Sequence, residues 1–135
     1  MANEAVLVYE DSLPWPMTCA DGTGIEKGAI LKMTDPNTCA LADGSEDIFA
    51  GIAAEEKIAN DGKTKIGVYK SGIFRVLAGG AISVGEALKT GAGAATNEVI
   101  IAATNDQNII GYSLETADDT HTFLMQLKPT RMELA

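Results

Sequence analysis

The chain has 135 residues, of which 46% are hydrophobic and only 5% aromatic, and its formal net charge is −9. That length supports one domain with a core of its own, filled by Ala, Val, Ile and Leu and needing no metal or disulfide staple. The ten cations are scattered, which argues against nucleic acid as a partner, and no apolar run approaches the roughly 18 residues of a membrane span.

The N-terminal stretch MANEAVLVYEDSLPW has no basic start followed by an apolar run, so no secretory signal is expected and the chain is read as made in a reducing host cytoplasm. Cys19 and Cys39 are then two small buried thiols. A disulfide between them is the alternative if the product later meets air. Within AVLVYE, Val6 and Val8 fall on one side of a notional strand and Leu7 and Tyr9 on the other. LPWPM follows, with Trp15 between Pro14 and Pro16, which favours extended chain over helix. Two readings of residues 1–16 stay open. One is an ordinary first strand with a Trp covering a barrel end; the other is an extended arm that pairs with another protein's sheet edge.

Beyond the arm the punctuation is that of a β protein. Turn signals recur at 21–24, 35–38, 43–45, 60–63, 70–72, 78–80, 91–94, 104–106 and 117–120. Strands are expected at 5–9, 29–33, 48–55, 64–70, 72–77, 98–103, 108–115 and 121–128, with one short helix at 82–89 weakened by Gly85. The fold class is therefore all-β: a compact small β-barrel or sandwich at residues 17–135.

An internal repeat links 25–70 to 82–128. IEKGAILK (25–32) and ISVGEALK (82–89) share Ile, Gly, Leu and Lys with glycines 57 residues apart, and IFAGIAAEE (48–56) is echoed by NIIGYSLET (108–116) with glycines 60 apart. A three-residue change in one loop reconciles the offsets. DGKTKIGVYK (61–70) aligns loosely with DDTHTFLMQLK (118–128). Two similar β units packed into one barrel account for this order.

Catalytic groups are sparse. His121 is the only histidine and sits in a polar DDTHT turn. Glu55 and Glu56 are adjacent and point to opposite faces of a strand. Gly91 and Gly93 lack the Lys-Ser/Thr of a phosphate loop. No catalytic residue, metal site or cofactor is assigned, and the protein is read as not an enzyme.

VYKSGIFR (68–75) reads as a hairpin turning at Lys70-Ser71-Gly72, with Tyr69 and Phe74 on its flanks and the charged ends of Lys70 and Arg75 in solvent. The same stretch carries a resemblance. Tyr69, Lys70, Ser71, Gly72, Phe74 and Arg75 follow Leu31, Met33, Asp35, Leu41, Asp43-Gly44 and Gly51-Ile52 in the order and near-spacing of the head decoration proteins of lambdoid bacteriophages. The likeness covers residues 29–77; the second half looks more like the longer capsid cement proteins of tailed phages.

The resemblance implies a β-tulip-like or barrel fold without enzymatic activity. It also implies a virion protein on the outer surface of an expanded head, typically a homotrimer, clamping neighbouring subunits of the major capsid protein. In the lambdoid members the N-terminal segment orders on the shell by adding a strand to capsid protein. By position, not by motif, this maps onto residues 2–16 and makes Val6, Leu7, Val8, Tyr9, Leu13 and Trp15 the capsid-binding residues. The rival reading is a small β-barrel binding module for carbohydrate or surface attachment, stacking sugars on Tyr9, Trp15 or Tyr112.

Overall fold

The computed structural model describes residues 3–44, 48–91, 97–102 and 108–130. Among these it places eleven strands and no helix: β1 (Val6–Tyr9), β2 (Trp15–Thr18), β3 (Ile30–Asp35), β4 (Thr38–Leu41), β5 (Phe49–Ala53), β6 (Lys65–Tyr69), β7 (Gly72–Ala78), β8 (Ala87–Thr90), β9 (Glu98–Ile101), β10 (Ile109–Ser113) and β11 (Thr122–Thr130). The turn signal at 91–94, apart from Gly91, and that at 104–106 lie outside the described residues.

Two barrels form, each closed by its own five strands. The first runs β2-β4-β3-β5-β6. The second runs β7-β11-β10-β8-β9 and is closed by a parallel pairing of β7 with β9. The wiring is the same in both. Parallel β2–β4, with Thr18 opposite Thr38, corresponds to β7–β9; antiparallel β2–β6 corresponds to β7–β11. The isolated bridge Ile25–Lys57 corresponds to Ile82–Ala117.

The repeat read from the sequence is thus structural. Ile25 and Ile82 form the bridges, and Leu31 and Leu88 are fully buried inside their respective barrels. Gly28 and Gly85 both sit at φ 85° in the turn that enters β3 or β8, a conformation glycine takes without a Cβ clash. Asn37 and Asn97, both at φ 49°, immediately precede β4 and β9. The offset between units is 57 residues at the glycines and 60 at the asparagines, so the additional residues fall between β8 and β9.

The cores are filled differently. The first barrel encloses Met17, Cys19, Ile25, Leu31, Cys39 and Ile66, with no aromatic ring. Cys19 and Cys39 are free, buried thiols, and burial pushes Cys39 up to about 11. The second encloses Phe74, Phe123, Met125 and Leu127, and its cluster continues into Ile30, Ala42 and Ile52 of the first barrel. All but the first residue of β5 are buried, because this strand faces its own barrel on one side and the second barrel on the other.

Five expectations need correction. The two units do not share one barrel; each closes its own and they pack side by side. Residues 82–89 are not a helix, since Gly85 supplies a left-handed turn between the Ile82 bridge and β8. VYKSGIFR is not a hairpin: β6 pairs with β2 and β5, whereas β7 pairs with β1, β9 and β11, so Lys70-Ser71 is the link from one barrel to the other. The Lys70 amine is not in solvent but donates to the Ala50 carbonyl oxygen at 2.6 Å beside Met17 Sδ, and burial lowers its pKa. Trp15 and Pro16, expected in the arm, lie in β2 of the first barrel.

Candidate binding surface

Apolar residues left in solvent mark where a partner can bury them. Half of the large hydrophobic side chains exposed among the described residues lie between Val6 and Trp15: Val6, Val8, Tyr9, Leu13 and Trp15. Leu13, the most exposed, shows 81% of its surface.

Local structure explains which side chains face out. β1 pairs antiparallel with β7, setting Val6 opposite Arg75 and Leu7 opposite Phe74. Leu7 packs against the second core, so Val6 and Val8 point away from it. A bulge then intervenes, because Tyr9 pairs with Ile73, the residue next to Phe74. The extra residue breaks the alternation, and Tyr9 emerges on the solvent side instead of joining Leu7.

The structure brings the two sets of sequence-predicted residues together. Residues 69–75 are the platform on which 6–12 lie. The Tyr69 hydroxyl bonds to Glu10, and burial together with that carboxylate raises its pKa. Ser71 Oγ donates to Asp11 at 2.6 Å and lies 2.8 Å from Ser12 Oγ. Gly72, at φ 130°, passes so close that an added Cβ would sit 2.9 Å from the Tyr9 carbonyl oxygen. Tyr69 and Phe74 meet edge to face at 5.6 Å between ring centroids, joining the barrels beneath the segment. Arg75 reaches Glu115 at 3.5 Å.

Two asparagines hold the ends. Asn97 Nδ2 donates to the carbonyl oxygens of Asn3 and Gly28, while its Oδ1 accepts from the Ile30 amide. Its counterpart Asn37 accepts from Trp15 Nε1 at 2.9 Å and donates to the Pro16 carbonyl oxygen. Trp15 therefore reaches the turn before β4 with its indole nitrogen satisfied and 56% of its surface exposed. Neither asparagine was singled out from sequence, although each occupies the same place in the repeat.

Lys57 was also missed as a structural centre. Its side chain is buried, and Nζ donates to Asp21 Oδ1, Asp61 Oδ1 and the carbonyl oxygens of Asp21 and Ile58. Burial opposes its charge, but the two carboxylates outweigh it and raise the lysine's pKa. Asp61, bonded by Lys57 and by the Lys63 amide, falls to about 2. The cage braces a loop of the first barrel and leaves no lysine lone pair for chemistry. His121 is exposed in its turn, and among the described residues no three His, Cys, Asp or Glu side chains converge on a metal position.

Residues 10–128 match the phage cement proteins, and the chain belongs to that family. It is accordingly a structural protein associated with the phage capsid, with a capsid-stabilising role. The fold is similar to that of the N base of head fiber gp8.5 in bacteriophage phi29, with a TM-score of 0.56 over 89% of this chain and 97% of that one, at 17% identity. No curated protein matches the chain in sequence.

Proposed function

We propose that this cement protein binds the outer surface of an expanded phage head and clamps neighbouring major capsid subunits, acting on the shell as a homotrimer. The observation that supports this is the exposure of Val6, Val8, Tyr9, Leu13 and Trp15 within one short segment, of which β1 is held on residues 73–75. Each side chain removed from water contributes roughly 1.5–3 kcal/mol when fully buried. A single copy offers few such groups and binds weakly. Three copies engaged together gain through effective concentration, so an assembled shell is favoured over a lone subunit.

The test is co-sedimentation with expanded, undecorated capsids. Full-length protein is compared with a variant lacking residues 2–12, which spares β2, and with Trp15→Ala. Saturable binding by the full chain, lost on truncation and weakened at least tenfold by Trp15→Ala, is the expected result. Equal binding by all three moves the contact to the barrels. Folded full-length protein that leaves competent shells bare sinks the reading.

A further inference from the structure

We infer that Cys19 and Cys39 form a cross-linking site: on meeting a small-molecule disulfide they join, and the bond locks the seam on which the first barrel closes. That seam is the parallel pairing of β2 with β4, where the register is confined to Thr18 opposite Thr38. Cys19 and Cys39 each follow one residue later, so they stand opposite one another on the other face of the two strands. Both are buried in the core cluster of the first barrel, and each follows a partly exposed threonine. The alternation sets both thiols inward, on the same side.

The second barrel shows the same placement. The Cys19 amide donates to the Thr64 carbonyl oxygen at 2.9 Å, and the Ala78 amide donates to that of His121 at 2.9 Å. Thr64 and His121 immediately precede β6 and β11, the antiparallel partners of β2 and β7. Ala78 is therefore the counterpart of Cys19, and Val99, second after Asn97, is that of Cys39, second after Asn37. Ala78 and Val99 are register partners, both fully buried. Where the second barrel sets an alanine against a valine, the first sets thiol against thiol. Neighbouring strands run about 4.8 Å apart, inside the roughly 4.4–6.8 Å between Cα atoms that a disulfide spans.

The seam is also where a reagent enters. β7 and β9 meet at two register positions, β2 and β4 at one, and Pro16 brings β2 no amide for further bonds. Local opening of this short pairing uncovers the thiols while the antiparallel pairings β2–β6 and β3–β4 hold. One cysteine thiolate attacks a sulfur of the small disulfide and displaces one small thiol; the other then attacks the mixed disulfide and displaces the second. The two cysteines are oxidised, the small disulfide is reduced, and the two protons leave on the released thiols. Burial pushes both cysteines up, so the reaction waits on opening. A reducing compartment keeps the thiols, and the bond forms once the folded protein reaches oxidising surroundings.

The test uses the full chain, reduced, desalted and incubated with 2-hydroxyethyl disulfide. The expected product is a monomer lighter by two hydrogen atoms that takes up no iodoacetamide when denatured, with the Cys19 and Cys39 peptides linked in a non-reducing digest. Its melting temperature should rise by at least about 5 °C, and dithiothreitol should reverse the rise. The variant C19A/C39V, which copies the Ala78–Val99 pair, should keep the native far-UV circular dichroism and show no shift with oxidant. Thiols that still alkylate after prolonged incubation, a bond joining two chains, or mixed disulfides that never resolve overturn the inference. So does an internal bond that lowers the melting temperature, since the pair would not fit the closed barrel, or an equal shift in C19A/C39V. Every outcome is read without capsids, so the cement reading stands or falls separately.

Discussion

The first and second barrels share their strand pairing, their bridges and their left-handed glycines, yet almost nothing inside them is alike. The first is filled by Met17, two cysteines and small aliphatics and is braced on its rim by the buried Lys57. The second is filled by Phe74 and Phe123, has Ala117 where the first has Lys57, and carries β1 on its flank. Backbone geometry at a few positions therefore fixes this wiring, and different side chains can fill it provided each core is dense. The repeat was visible in sequence for that reason: Gly28, Gly85, Leu31 and Leu88 are the positions that geometry constrains.

Paired substitutions at equivalent positions sharpen the contrast. The largest effect is expected at the facing residues of β6 and β11. Phe123→Ala should cost about 3–5 kcal/mol and Ile66→Ala about 2–5, read by urea denaturation. Because Ile30 and Ile52 join the second core, Trp15 fluorescence and far-UV circular dichroism should report one coincident transition. Two separated transitions would mean the barrels are energetically independent.

Next come the glycine turns. Gly85→Ala should cost roughly 1–2 kcal/mol, the usual penalty of a left-handed residue with a Cβ. Gly28→Ala should cost more, because its Cβ would sit 2.2 Å from Glu4 Cγ and 3.0 Å from the Ala5 carbonyl oxygen, whereas nothing lies near Gly85. Equal melting shifts for the two variants would break the assignment of residues 4–5 to that groove. Smaller again are the asparagines. Asn97→Ala loses three hydrogen bonds, two of them part-buried, and should cost about 1–3 kcal/mol; Asn37→Ala, with exposed bonds, should cost about 0.5–1.5.

The last effect is a pH dependence that appears only in acid. Asp61 has its pKa lowered from 3.8 to about 2 by folding, so its stabilisation is complete above about pH 4 and is lost as pH falls toward 2. Lys57 is raised above 10.5, so its contribution holds below that value and disappears only in stronger alkali. Melting temperature should lose this acid-sensitive component in Lys57→Met. An unchanged acid limb in that variant would show that the cage is not its source.

Much of the strand pattern was legible because most strands announce themselves by short β-branched runs between turn residues. β2, β4 and β8 were not. Pro16 makes WPMT read as irregular chain, and β2 tolerates it because its pairing with β4 is confined to Thr18. TCAL is a short run next to the Pro36-Asn37 turn, and ALKT overlaps the short helix expected at 82–89. At the candidate binding surface, VLVY and Trp15 stood out by composition. Their contact with residues 69–75 did not, because strand periodicity identifies a strand but not the sheet it joins. The KSG stretch has the composition of a hairpin turn, and only long-range pairing distinguishes it from a crossing between barrels.

That crossing has a mechanical consequence. The chain passes between the barrels twice, once through residues 10–14 from β1 to β2 and again through Lys70-Ser71 from β6 to β7. Tension pulling the barrels apart is carried by both spans, the second of which has almost no slack. Rupture therefore requires stripping a strand out of its sheet as well as parting Ile30 and Ile52 from the second core, so the two barrels resist extension as one body before either yields.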